Sequence, residues 1–137
     1  HRRDAASALR RASVAAATCR RRGGRGVSWS MENVLTCFST CPDAATAERI
    51  ARALVDARLA ACVNLLPRVR SVYRWDGDVV VDEEVLLVIK TTSAQLQALR
   101  ERLPALHPYE TPELVVLAVT DGLPAYLQWI ADSTAPR

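Results

Sequence analysis

The chain has 137 residues, half of them apolar and about a quarter charged, which leaves room for one folded domain with a real core. No apolar run approaches the roughly 18–20 residues of a membrane-spanning helix, so a soluble domain without membrane contact is expected. The net charge of +3 is unevenly spread: residues 1–30 hold eight Arg against one Asp, whereas residues 31–137 hold ten basic and fourteen acidic residues. The folded part is therefore mildly acidic and lacks the clustered Lys and Arg that neutralise phosphates, which argues against a nucleic-acid surface.

Residues 1–30 are rich in Arg, Ala, Ser and Gly and include Arg20-Arg21-Arg22-Gly23-Gly24-Arg25-Gly26. Such a composition buries too little apolar surface to order itself and reads as a disordered tail. Three readings stand open. It is upstream sequence preceding a start at Met31, an organelle transit segment, or an RNA-binding arm. The four cysteines, Cys19, Cys37, Cys41 and Cys62, make no disulfide framework in a chain of this size. Reduced, buried thiols and a cytoplasmic setting are expected, or an organelle if the tail is a transit segment.

Regular signals begin at Asn33, in a domain spanning 31–137. Residues 33–40 are a β-branched, apolar run of strand length. Pro42 and Asp43 mark a helix start, with Pro in the first turn and Asp near the positive end of the dipole. Ala47, Ile50, Ala51, Leu54 and Val55 then trace one buried helical face, with Glu48, Arg52 and Asp56 opposite. Two long strand-like segments, about Ala61–Trp75 and Val79–Thr91, flank Asp76-Gly77-Asp78, a strong hairpin signal. A twelve-residue arm spans roughly 40 Å, more than a domain of this size covers with its own helices. Its apolar and aromatic side chains (Val69, Val72, Tyr73, Trp75, Val79, Val80, Val81) call for a partner subunit.

Thr92 and Gln95 have the spacing of a capping box for a second helix carrying Leu96, Leu99, Leu103 and Leu106, which Pro104 should kink or end. His107-Pro-Tyr-Glu-Thr-Pro-Glu113 is an extended loop, and Leu114–Val119 a fully apolar fourth strand. Asp121-Gly122 turns the chain. Pro124 opens a last helix with Tyr126, Leu127 and Ile130 as its inner face. The order is β-α-β-β-α-β plus a helix, the ferredoxin-like α+β arrangement, with an antiparallel sheet covered by helices on one face. The other face is left apolar and open, which again asks for a partner.

Six segments resemble the CutA family of divalent-cation tolerance proteins: 41–47, 59–64, Ser71-Val-Tyr-Arg-Trp-Asp-Gly77, Glu84 with Ile89-Lys90-Thr91, His107-Pro-Tyr-Glu-Thr-Pro-Glu113 and Tyr126-Leu-Gln-Trp129. They run in order over about 100 residues and exclude the tail. The resemblance implies a homotrimer similar to PII-type signalling proteins, a role in metal-ion response, and copper binding in some members. The ligand positions it implies fall here on Ser39, Leu106 and His107, so only His107 keeps a ligating side chain.

Copper takes thiolate and imidazole ligands, and Cys37 and Cys41 share a strand face with Ser39. A weak copper site of His107 with Cys41 or Cys37 is one reading; His107 packing at a helix end beside two ordinary strand cysteines is the other. Trp75, Lys90, Tyr109, Glu110 and Glu113 are candidates for an intersubunit cleft, with Lys90 expected to pair with Glu110 or Glu113. Arg68, Arg70 and Lys90 could receive a small anionic ligand there.

Acyl-phosphate hydrolysis on this topology needs a phosphate-cradling loop after the first strand, but Ser39-Thr40-Cys41-Pro42-Asp43 has no Gly and no Arg. RNA recognition would need stacked aromatics on the central strands, and only Phe38 is present. A non-enzymatic binding protein is expected.

Overall fold

The computed structural model describes residues 33–136, so the basic tail, Cys19 and the proposed start at Met31 lie outside the described residues. Seven elements follow in order: β1 (Val34–Cys41), α1 (Ala44–Asp56), β2 (Cys62–Trp75), β3 (Asp78–Thr92), α2 (Ser93–Leu106), β4 (Val115–Ala118) and α3 (Pro124–Thr134). They form one antiparallel sheet in the order β2-β3-β1-β4, the ferredoxin-like arrangement expected from the sequence.

Alternation along the strands decides what each face meets. Leu35, Cys37 and Cys41 of β1 and Val85, Leu87 and Ile89 of β3 pack against Ala47, Ile50 and Leu54 of α1 and Leu99 and Leu103 of α2. Fully burying side chains such as Ile50, Leu54, Leu87, Ile89, Leu99 and Leu103 contributes about 1.5–3 kcal/mol each. That layer holds the helices to the sheet. Phe38, Leu86 and Val88 on the opposite face stay half-exposed, and Leu66, Val115 and Leu117 are exposed. The end of this open face is covered by α3, whose Leu127 and Ile130 meet Val34 and Ala61 in a second, smaller core.

Local details refine the sequence reading. Asp43 is the N-cap of α1, its Oδ1 accepting from the Thr46 amide at 2.7 Å, so Pro42 precedes the cap and lies outside the first turn. Val55 is exposed rather than part of the buried face. α1 ends in a Schellman arrangement: the Leu59 amide donates to Leu54 O at 3.0 Å and the Arg58 amide to Val55 O at 3.1 Å. Arg58 takes the left-handed position, φ 58°, that glycine usually fills.

The expected capping box is absent. Thr92 makes no side-chain cap and instead meets Thr134 Oγ1 at 3.4 Å, while Gln95 Nε2 donates to Thr134 O at 2.8 Å. Both side chains are recruited to moor α3. Tyr126 points outward, not inward. β4 is only four residues long and its open-face side chains are exposed, as befits an edge strand.

The hairpin turn is Asp76-Gly77, with φ of 46° and 84°, the two positive values of a type I′ turn. β1 pairs with β3 only over residues 85–92, so Val69–Trp75 and Asp78–Glu84 form a two-stranded ribbon beyond the sheet. Where it leaves the sheet, Pro67 and Arg68 stand opposite the single residue Val85. This is a β-bulge, with Arg68 left-handed at φ 60° and Pro67 at a site that needs no ladder donor.

Candidate functional site

Polar chemistry collects where β1 ends and the loop after α2 crosses it. His107 caps α2, its amide donating to Leu103 O at 3.0 Å, and its ring is buried against β1. The Tyr109 amide donates to His107 Nδ1 at 3.0 Å, and Nε2 lies 2.8 Å from Thr40 O. An amide donating to Nδ1 leaves the proton on Nε2, so the ring is the neutral tautomer that donates to the Thr40 carbonyl. Cys41 Sγ lies 3.7 Å from the same Nε2. The Tyr109 ring lies 4.7 Å from the imidazole, and its hydroxyl donates to Glu84 Oε2 at 3.1 Å. Glu84 is only 5% exposed. Arg49 Nη2 donates to Leu106 O at 3.0 Å and completes the end of α2.

The structure thus brings Cys41 to His107, and it places Cys37 fully buried on the same strand face. Burial pushes the Cys37 thiol up to about 11. Cys41 is pushed up to about 12, by burial first and then by the charges of Glu84 and Asp43, with Arg49 opposing. Both are thiols, not thiolates, near neutral pH. Both imidazole nitrogens of His107 are already engaged. Ser39 Oγ and Thr40 Oγ1 are buried without a hydrogen-bond partner among the described residues, but a hydroxyl is a poor ligand for a soft metal. Nor do the described residues contain a group of three or more His, Cys, Asp or Glu able to hold an ion. Within one chain the Cys37, Cys41 and His107 set does not fit copper.

The five cleft candidates are spread apart in one chain. Tyr109 joins Glu84, with the exposed Glu110 and half-buried Glu113 in the same loop. Trp75 pairs with Asp78 at the hairpin tip, about 20 Å along β3 from Glu84, and Lys90 lies as far in the other direction. Lys90 Nζ donates to Asn64 Oδ1, so the expected carboxylate partner, Glu110 or Glu113, is replaced by a cross-strand amide on the open face. Tyr73 likewise spends its hydroxyl on Asp82 within the hairpin.

Beside Glu84 a cleft of about 400 Å³ is lined by residues including Asp43, Pro67, Arg68, Glu83 and Glu84. Glu84 enters the sequence reading only as part of the family resemblance and without a site role, whereas the structure makes it the acceptor for Tyr109. Parity puts it with Leu86 and Val88 on the open face, so its burial follows from tertiary contacts such as that of Tyr109 and not from strand alternation.

Fold and site together define a ferredoxin-like α+β domain with an over-long central hairpin, a third helix closing one end of the sheet, and a loop pinned to its first strand. The chain belongs to the CutA1 divalent ion tolerance protein family, whose pattern matches residues 35–133. It is 50% identical over 104 residues to the divalent-cation tolerance protein CutA of Thermus thermophilus, covering 76% of this chain and 99% of that protein. It is 47% identical over 102 residues to protein CutA of Mus musculus, covering 74% of this chain and 58% of that one. The crystal structure of CutA from Xylella fastidiosa is similar at a TM-score of 0.73 and 48% identity, over 75% of this chain and 99% of that chain.

Proposed function

We propose that the chain is a homotrimer acting in the divalent-ion response that names its family, through assembly and a cleft at the subunit boundary. It does not depend on a copper ion held by His107, Cys41 and Cys37, and it is a binding protein rather than an enzyme. The supporting observation is the hairpin. Among the described residues its outer half, Val69–Trp75 with Asp78–Glu84, has no third strand beside it. An isolated two-stranded ribbon is marginal in water, and a neighbouring subunit is the support it needs.

Assembly also gives the scattered candidates a common purpose. Trp75 and Lys90 sit about 40 Å apart along the hairpin, so they can serve one cleft with Tyr109, Glu110 and Glu113 only across subunits. Arg68, Arg70 and Lys90 suit a small anionic ligand in such a cleft. Buried free thiols at Cys37 and Cys41 fit a reducing compartment. No helix of the described residues is long and apolar enough to cross a membrane.

Sedimentation analysis of the full chain tests the assembly. The expected mass is three times that of the chain, and deleting residues 71–81 is expected to leave an unstable monomer. A deletion variant that remains trimeric overturns the hairpin's role. A native monomer overturns the whole reading.

A further inference from the structure

Glu84 carries a charge that the rest of the chain answers with a single hydroxyl. It is 5% exposed, and the Tyr109 hydroxyl donates to its Oε2 at 3.1 Å. Among the described residues no Lys, Arg or His forms an ion pair with it. A carboxylate this deep is ordinarily matched by a cation or by several donors. On the same sheet face Thr40 stands opposite Leu86, the next residue in the row of Glu84. Thr40 is 7% exposed, and its hydroxyl is buried without a hydrogen-bond partner among the described residues. β1 ends at the Cys41–Val85 pair, so Glu84 has no β1 residue opposite it. Glu84 also lines the cleft of about 400 Å³, whose apolar walls are Pro42, Ala44, Pro67 and Val85. Of the other acids there, Asp43 is spent on the cap of α1 and Glu83 stands opposite Arg70. Arg68 is the one cation among the described lining residues.

We infer that this cleft binds a small aliphatic primary amine, its ammonium group against Glu84 and its hydrocarbon against the two prolines. The site lies inside one chain, so it rests on the reading of a binding protein and not on the trimer. Charge selects a cation, because the lining sets three carboxylates against one guanidinium. A metal ion needs several ligating side chains at once. The described residues contain no group of three or more His, Cys, Asp or Glu able to hold one. A guanidinium grips both oxygens of a carboxylate in its own plane, and Tyr109 already takes Oε2. An ammonium is compact and has three donors pointing apart, one for Glu84 Oε1 and another for the Thr40 hydroxyl as acceptor. The apolar walls then remove the alkyl chain from water, which adds affinity that a bare ammonium ion lacks.

The test is an NMR titration of the full chain with n-butylamine at neutral pH, followed through the backbone amides. Saturable shifts centred on residues 43–44, 68 and 83–85 are expected. Glu84→Gln is expected to weaken binding about tenfold and Thr40→Val about threefold, with Glu83→Gln within about twofold of wild type. Magnesium chloride and n-butylguanidine at the same concentrations are expected to leave those amides unsaturated. The shift map of the wild-type protein decides the matter even if Glu84→Gln is unstable. Absence of saturable shifts, shifts centred elsewhere, or a Glu84→Gln protein that binds as tightly as wild type overturns the site. Magnesium or n-butylguanidine binding there as tightly as n-butylamine overturns the amine as its ligand. Sedimentation of the same samples keeps the two readings apart. A trimer that ignores n-butylamine overturns this site and leaves the assembly standing, and a monomer that binds it leaves only the site.

Discussion

Tyr109 holds Glu84 through its side chain and His107 through its backbone: its hydroxyl lies 3.1 Å from Glu84 Oε2 and its amide 3.0 Å from His107 Nδ1. One residue therefore ties the loop after α2 both to β3 and to the end of its own helix.

Tyr109→Phe removes the hydroxyl and leaves a buried carboxylate short of one donor. Losing a hydrogen bond to a buried charged acceptor costs about 1–3 kcal/mol, read as a lower urea midpoint with unchanged slope. Glu84→Gln in the same background is expected to recover part of the loss, because a neutral amide suffers less from a missing donor. Equal stability of Tyr109→Phe and wild type would show that Glu84 is satisfied without Tyr109.

The buried thiols make stability fall at alkaline pH. Cys37 and Cys41 keep their protons in the folded state to about 11 and about 12, whereas the unfolded chain loses them from about 9. Between those limits the folded state binds more protons, so the free energy of unfolding declines as pH rises. The slope approaches roughly 1.4 kcal/mol per pH unit for each thiol above pH 9 and fades out about one unit below it. Denaturation midpoints from pH 8 to 11 for wild type and Cys37→Ala/Cys41→Ala measure it; identical slopes would place the alkaline loss elsewhere.

Arg58 occupies the left-handed position of the Schellman turn while donating to Ala135 O at 3.3 Å. A non-glycine residue in that region costs on the order of 1–2 kcal/mol, and a β-branched one more. Arg58→Gly is expected to be at least as stable as wild type despite losing the exposed contact, and Arg58→Val to lose 1–2 kcal/mol. Thermal melts order the three; a valine variant as stable as the glycine one would remove backbone strain as the explanation.

Copper titration should not depend on His107. Its two ring nitrogens are held by Thr40 O and the Tyr109 amide, and the neighbouring thiols are protonated. Calorimetric copper binding is expected to be the same for wild type and His107→Ala. A loss of affinity in the variant would assign a metal role to the loop after α2.

The fold was legible because its local signals agree with one another. Asp76-Gly77 allowed only a tight turn, the alternation around it only two strands, and the leucines of α2 only one inner face. The departures share a cause: spacing or charge suggests one partner for a side chain, and the tertiary fold brings a different one to it. Thr92 and Gln95 have the spacing of a cap, but Thr134 at the end of α3, 39 residues past Gln95, takes both. Lys90 follows an apolar run and suggested a carboxylate, yet Asn64 lies across the strand pair. Tyr126 has the period of an inner face, but Leu127 and Ile130 take that face and Tyr126 is left exposed. At the candidate site the sequence held His107 and Tyr109 together by adjacency. Ligand chemistry paired His107 with Cys41, which the structure places 3.7 Å away, but nothing in the spacing joined Tyr109 to Glu84, a helix and half a strand distant.

The bulge at Pro67-Arg68 has a consequence for what the hairpin shows the outside. Before it, Leu65 stands opposite Leu87; after it, Val69 stands opposite Glu84. Odd-numbered residues of β2 therefore lie on the helix side below the bulge and on the open side above it, because β3 runs through without interruption. Ser71, Tyr73 and Trp75 are thereby turned to one side of the ribbon, and Arg70, Val72 and Arg74 to the other. Removing the single residue Arg68 would rotate the outer half of β2 by half a turn and exchange those two rows. A one-residue insertion in an otherwise regular strand thus works as a selector switch, choosing which chemistry the projecting arm presents.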